Sequence, residues 1–158
     1  MMSSLAGGLS ANRCLCAQPC RLPYDLVDET GEVVSAPGRT RPLCPKDFCT
    51  VDDLARMRDA GVGSLKVEGR MKAPDYVHSV VSAYRGALDA LAAGVDDDEA
   101  DALRHRQLRR SFNRDFTDSY LFGSADDDMM SYERSNNRGE LVGEVVSSHK
   151  LEDALVRR

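Results

Sequence analysis

The chain has 158 residues, 42% of them hydrophobic, which is enough for one ordinary domain with a core built from Leu, Val, Ala and Met, since there is no tryptophan and only four phenylalanines. Its formal charge of −5, from 26 acidic and 21 basic residues, excludes a global basic field for nucleic acid or anionic membrane, so any RNA contact has to use a local patch. No apolar run approaches the ~20 residues that span a bilayer, and the opening MMSSLAGGLSANRC has no secretory apolar stretch.

In chain order, residues 1–20 read as loop, with small residues and no sustained period. LPYDLVDETGEVV (22–34) alternates apolar and polar side chains around DETG, the pattern of a hairpin with a short turn. SAPGRTRP (35–42) is a breaker-rich connection. TVDDLARMRDAG (50–61) reads as a short helix with Thr50 as its N-cap, acids in its first turn and Gly61 at its end. VGSLKVEGR (62–70) reads as a strand, with Leu65 and Val67 on one face and Lys66 and Glu68 on the other.

PDYVHSVVSAYRGALDALAAG (74–94) predicts a helix: Pro74 suits its first position, and Val77, Val80, Val81, Tyr84, Leu88 and Leu91 form one apolar stripe before Gly94. DDDEADALRHRQLRRSF (96–112) predicts another, acidic at its start and basic at its end, as the helix dipole favours. Residues 113–138 read as irregular and polar, and GELVGEVVSSHK (139–150) as a strand of a different, β-rich unit with no obvious partner. Helix–strand–helix over 50–94 is half of an α/β unit, with too few strands left to close a parallel sheet. Both ends look cut, and the chain reads as a segment of a larger protein or as an open reading frame called short.

The cysteines fall into CLCAQPC (14–20) and a pair, Cys44 and Cys49, that brackets PKDF. With no secretory signal the expected location is the cytoplasm, where clustered thiols hold metal or do chemistry more often than they pair, and five is an odd number for a disulfide framework. Four thiolates could bind zinc or an iron–sulfur cluster, although the C-x-C and C-x3-C spacings differ from the knuckles of zinc ribbons. Buried structural thiols are the plainer alternative. A nucleophilic cysteine needs a histidine base, and His78, His105 and His149 all lie far along the chain.

SLKVEGRMK (64–72) places Glu68, Arg70 and Lys72 where a strand gives way to a helix, the end that faces the ligand crevice in α/β folds. Gly69 would let the chain turn sharply, and Arg70 suits bidentate grip on a carboxylate or phosphate; a salt-bridged strand end without a ligand reads equally well. RHRQLRRSFNR (104–114) is the one local basic patch, with Arg109 and Arg110 as candidate RNA contacts, although such runs are more often solvated helix faces.

Three stretches, SANRCLCAQPCRLPYDL, CPKDFCTVDDLARMRDAGVGSLKVEGRMKAPDYVHSVVSAYRGALD and FNRDFTDSYLFG…NNRGELVGEVVS, together resemble the peptidase U32 family, the collagenase-like proteins, over essentially residues 1–148. CAQPCRLPY and PKDxC are similar to the long branch, whose studied members hydroxylate a cytidine in large-subunit ribosomal RNA; sister branches modify tRNA wobble uridine or take part in ubiquinone hydroxylation. The resemblance implies the C-terminal part of a (β/α) barrel over residues 1–112 with the cysteine loop, and over 113–158 a linker and the start of a small β-rich domain.

It further implies a 4Fe–4S cluster on four cysteines, two of them upstream of the family's MSS segment, here Met2-Ser3-Ser4. Cys16 and Cys20 match the other two, with Cys49 as an alternative fourth ligand; Cys14 stands where the family usually has Gly, and Cys44 has no counterpart. On this reading the chain holds half of a cluster site, completed by a missing N-terminal half or a partner chain. Prephenate, a dicarboxylate, is implied as hydroxyl source; Arg70, Lys72 and Lys46 are the cations placed to grip it, and Glu68, Arg70 and Lys72 the catalytic candidates. The resulting expectation is cluster-dependent, prephenate-linked hydroxylation of a base in rRNA or tRNA. The alternatives are a collagenase-like protease, although no Ser/His/Asp set or H-E-x-x-H motif is present, and a non-catalytic RNA-binding remnant.

Overall fold

The computed structural model describes residues 2–13, 15–69, 71–123, 127–147 and 155–157. Cys14, Arg70 and His149, all singled out above, lie outside the described residues.

The first element departs from the loop expected there. Met2–Gly7 forms a short helix, α1, followed by 3-10 turns at Ala11–Arg13 and Pro19–Arg21. Six residues are too few to show a helical period in sequence, and a helix so short depends on tertiary packing. That packing is against the 16–21 stretch: Ser3 is buried with its Oγ 3.5 Å from Cys16 Sγ, and a Cβ on Gly7 would stand 2.5 Å from the Ala17 Cβ. Glycine is what lets the helix end approach this closely.

The hairpin forms as expected. Val27 and Val33 make an antiparallel bridge, Val34 N–H donates to the Leu26 carbonyl, and the turn is held by Asp28, whose Oδ1 accepts from the N–H groups of Thr30 and Glu32. The 50–61 helix begins as a 3-10 turn, Val51–Asp53, and continues as α2, Leu54–Asp59. Thr50 makes no side-chain cap; its N–H instead takes the Tyr84 hydroxyl at 2.9 Å. Gly61, at φ 86°, closes the element in the left-handed region.

Residues 62–69 form no strand. Ladder hydrogen bonds need a neighbour alongside, and among the described residues no strand flanks this segment. Its Leu65 and Val67 still face the next helix across a cavity. That helix, α3, runs Pro74–Ala93, with Pro74 in its first turn and Gly94 at φ 64° receiving the chain at its end, as expected. Its apolar stripe divides. Val80 and Tyr84 pack on the core of Val51, Ala83 and Leu108, whereas Val81, Leu88 and Leu91 line the cavity opposite Leu65 and Val67.

Helix α4, Asp98–Arg110, is capped by Asp97, whose carboxylate accepts from the N–H groups of Glu99 and Ala100, and it packs against α3, with Gln107 Nε2 donating to the Ser79 carbonyl. Within the expected irregular stretch, Phe116–Thr117 (β2) pairs in parallel with Asp47–Phe48 (β1). The late strand, β3 (Glu144–Ser147), is shorter than its apolar pattern, and it does have a partner: β4, Leu155–Arg157, antiparallel to it. Among the described residues no helix is long and apolar enough to cross a membrane.

Candidate functional site

The turn after residue 69 shapes the site. Lys72 N–H donates to the Gly69 carbonyl at 3.0 Å, and Met71 takes a left-handed φ of 66°. The positive φ thus falls on Met71 and not on Gly69, whose own role is close approach: a Cβ there would sit 3.0 Å from Val77 Cγ2 of α3. A side chain such as Met in that region costs energy the surrounding packing must offset.

The turn brings Lys72 to the start of α3, with Nζ 2.8 Å from the centroid of the Phe112 ring and 5.8 Å from that of Tyr76. Phe112 follows α4 and also carries the Arg114 guanidinium, 4.4 Å from its centroid. Burial, and then the Arg114 charge, lower the Lys72 pKa from 10.5 to about 8, with Asp47 opposing. Arg114 is itself buried and anchored: its N–H and Nη1 both bond the Asp47 carboxylate, and its Nε donates to the Ser135 carbonyl.

A cavity of about 620 Å³ lies between β1, residues 64–68 with Met71 and Lys72, and α3, and Cys16, Cys49, Glu68, Lys72, Tyr76 and Arg114 are among its walls. Burial pushes the Cys49 thiol above its usual pKa, against the Val51 N–H and the Tyr84 hydroxyl, 3.8 Å away, which pull it down. A second, more open cavity of about 990 Å³ runs along α3 and α4. It shares Gln18, Met71, Lys72, Tyr76, Phe112 and Arg114 with the first and adds Arg106 and Arg110, so Lys72, Phe112 and Arg114 are among the residues that stand where the two spaces meet.

Of the residues expected at the site, Glu68, Lys72, Cys16 and Cys49 come together around one cavity. Lys46 does not join them: it pairs with Asp128 at 2.7 Å and lines a different, smaller cavity beside Arg138. Cys20, in the Pro19–Arg21 turn, lines neither of the two larger cavities. None of the four described cysteines is in a disulfide, and the buried one, Cys44, accepts a hydrogen bond from Arg21 Nη1 at 3.1 Å.

Among the described residues no three His, Cys, Asp or Glu side chains are grouped to hold a metal ion. A 4Fe–4S cluster asks for four thiolates at one place, so the described residues do not fit that group by themselves. Arg110 faces the groove, but Arg109 lines neither large cavity. Phe112 and Arg114 belong to the basic run, yet nothing in its pattern separates them from its solvated members. Asp47 was visible only as one letter of PKDF between two cysteines.

The comparisons agree with this reading of the sequence. The model of peptidase family U32 matches residues 1–131, and the chain belongs to that family. It is 39% identical over 114 residues to a collagenase of Porphyromonas gingivalis, covering 72% of this chain and 28% of that protein. It is 36% identical over 149 residues to the 23S rRNA 5-hydroxycytidine C2501 synthase of Escherichia coli, covering 90% of this chain and 22% of that enzyme. Identity to tRNA hydroxylation protein P1 of Bacillus subtilis is 34% over 118 residues, 72% of this chain and 28% of that protein. The chain therefore spans about a quarter of the length of these curated relatives. No solved structure matches it.

Proposed function

We propose that this chain belongs to an enzyme that hydroxylates a base in ribosomal or transfer RNA, and that it supplies part of the substrate site. The observation that carries this reading is the meeting of a basic groove with the thiol-bearing cavity at Lys72, Phe112 and Arg114. Relatives named for rRNA and tRNA hydroxylation support it. A strand lying in the groove would have its phosphates near arginines and one base near the cavity mouth.

In this proposal residues 1–112 form the last part of a (β/α) barrel, with 62–72 leading to the ligand end and α3 following, and residues 113–158 lead into a β-rich domain. Lys72, charged below pH 8 and partly desolvated, holds the carboxylate of a prephenate co-substrate together with Arg70, and Glu68 on the same wall accepts or returns a proton. Any 4Fe–4S cluster would need ligands beyond the described cysteines, which are not grouped to hold a metal ion. The site is proposed to work in the cytoplasm, where the RNA is.

A protease of the collagenase-like class is the competing reading, favoured by the Porphyromonas gingivalis relative. The geometry is unfavourable to a cysteine nucleophile, because among the described residues no histidine lines the cavity that holds Cys16 and Cys49, and His105 is instead paired with Asp52 at 2.8 Å.

The test is nucleoside mass spectrometry of rRNA and tRNA from cells lacking the gene. One hydroxylated nucleoside should disappear and return with the wild-type gene but not with Lys72→Met. An unchanged nucleoside profile in the deletion rejects the proposal.

A further inference from the structure

Arg106 and Arg110 are four residues apart and so share one face of α4. Their guanidinium groups converge on a single carboxylate. Glu140, 30 residues beyond Arg110, places Oε2 2.5 Å from Arg110 Nε and Oε1 3.6 Å from Arg106 Nε. The Arg110 hydrogen bond, followed by the charges of Arg110, Arg106 and Arg109, holds the Glu140 carboxyl below its usual pKa against desolvation. Two arginines that share one anion in this way define a position suited to a phosphate as well as to a carboxylate.

The surroundings match a phosphodiester strand better than a small free anion. Among the described residues four cations, Lys72, Arg106, Arg110 and Arg114, line this open groove with one acid, Asp75, and Glu140 sits on the Arg106–Arg110 pair. Arg106 and Arg110 keep more than half of their side-chain surface in solvent, so they can follow a backbone at the surface. Arg114, buried and committed to Asp47, is a fixed charge at the inner end.

We infer that the α3–α4 groove is the RNA-backbone cleft, with Arg106 and Arg110 binding a phosphate at the position that the Glu140 carboxylate occupies in the free protein. This rests on RNA being the substrate. Glu140 is then an internal competitor: the incoming phosphate displaces it, and the segment around residue 140 is released from α4.

The experiment is fluorescence anisotropy of the 158-residue chain with a labelled single-stranded RNA of about 12 nucleotides, within the site sizes of single-strand binders, over a series of salt concentrations. Circular dichroism verifies that each variant keeps its helices. Arg106→Gln with Arg110→Gln should weaken binding by about tenfold and reduce the slope of log affinity against log salt by about 1.4, the amount for two single-strand phosphate contacts. Glu140→Gln should tighten binding about threefold or more, because it keeps the shape and removes the competing charge. Arg109→Gln, off the groove, should change affinity by less than about twofold. Equal weakening by Arg109→Gln, or an unaltered affinity in the double variant, overturns the cleft while leaving RNA as the substrate. Failure of the wild-type chain to bind RNA at any salt concentration overturns both.

Discussion

Asp47 and Arg114, 67 residues apart, are joined twice: the Arg114 N–H donates to Asp47 Oδ2 at 2.8 Å and its Nη1 to Oδ1 at 3.1 Å. The pair stands beside the parallel pairing of β1 and β2, in which Asp47 lies opposite Phe116. One carboxylate therefore fixes both the register of this small parallel pair and the cation that reaches over Phe112 at the cavity junction.

Replacing Asp47 by Ala leaves a guanidinium that is 8% exposed without its counter-charge. The expected cost is about 2–3 kcal/mol, the lower range for breaking a buried pair because Asp47 is partly wet. Asp47→Asn, which still accepts the main-chain N–H, should cost less. Urea denaturation measures both, and equal stability of Asp47→Ala and wild type would show that the pair is not holding the junction.

The Tyr84 hydroxyl sits between two backbone and side-chain partners on the other wall. It lies 2.9 Å from the buried Thr50 nitrogen and 3.8 Å from Cys49 Sγ, and burial raises its own pKa. Tyr84→Phe removes the partner of a buried N–H with almost no change in volume. A loss of about 1–2 kcal/mol is expected from that unsatisfied donor, measured as the shift in urea midpoint at unchanged slope. A shift near zero would mean that water reaches Thr50 and takes the place of the hydroxyl.

Lys72 should be recognisable by titration. With a folded pKa of about 8 against 10.5, it is protonated in both states below pH 8, where its partly desolvated charge opposes folding in full. Between pH 8 and 10.5 the unfolded chain binds the extra proton, so stability should rise with pH across that window. In Lys72→Met that rise should be absent. Brief acetylation at pH 8, read by mass spectrometry, should also modify Lys72 ahead of Lys66, which is on the exposed segment just before it. Slower labelling of Lys72 together with an unaltered pH profile in Lys72→Met would contradict the depressed pKa.

Long periodic segments were legible from the chain itself. The 74–94 helix has a proline at one end, a glycine at the other and enough turns for its apolar stripe to emerge, and α4 has its acidic start and basic end. The hairpin at 22–34 follows from local turn chemistry centred on Asp28 and Gly31. The short elements were not legible. α1 and β2 are too brief to carry a period, and both owe their conformation to residues distant in sequence, Ala17 and Cys16 for the one and Asp47 for the other.

The site divides along the same line. Glu68, Lys72 and the cysteines could be named as chemistry-bearing, but residue type alone did not say that Lys46 turns to Asp128, that Cys20 leaves the cavity, or that Arg110 and not Arg109 faces the groove.

What the sequence by itself determined was family, the extent of the two long helices and the kinds of side chain available, because these depend on local pattern and on wording kept in order along the chain. What only the tertiary structure decided was which charges share a space. Lys72, Phe112 and Arg114 meet because the turn at Met71, the end of α4 and the Asp47 carboxylate are brought together by packing between segments up to 67 residues apart. Coulombic and π contacts fall off over a few ångströms, so no spacing along the chain can stand in for that proximity.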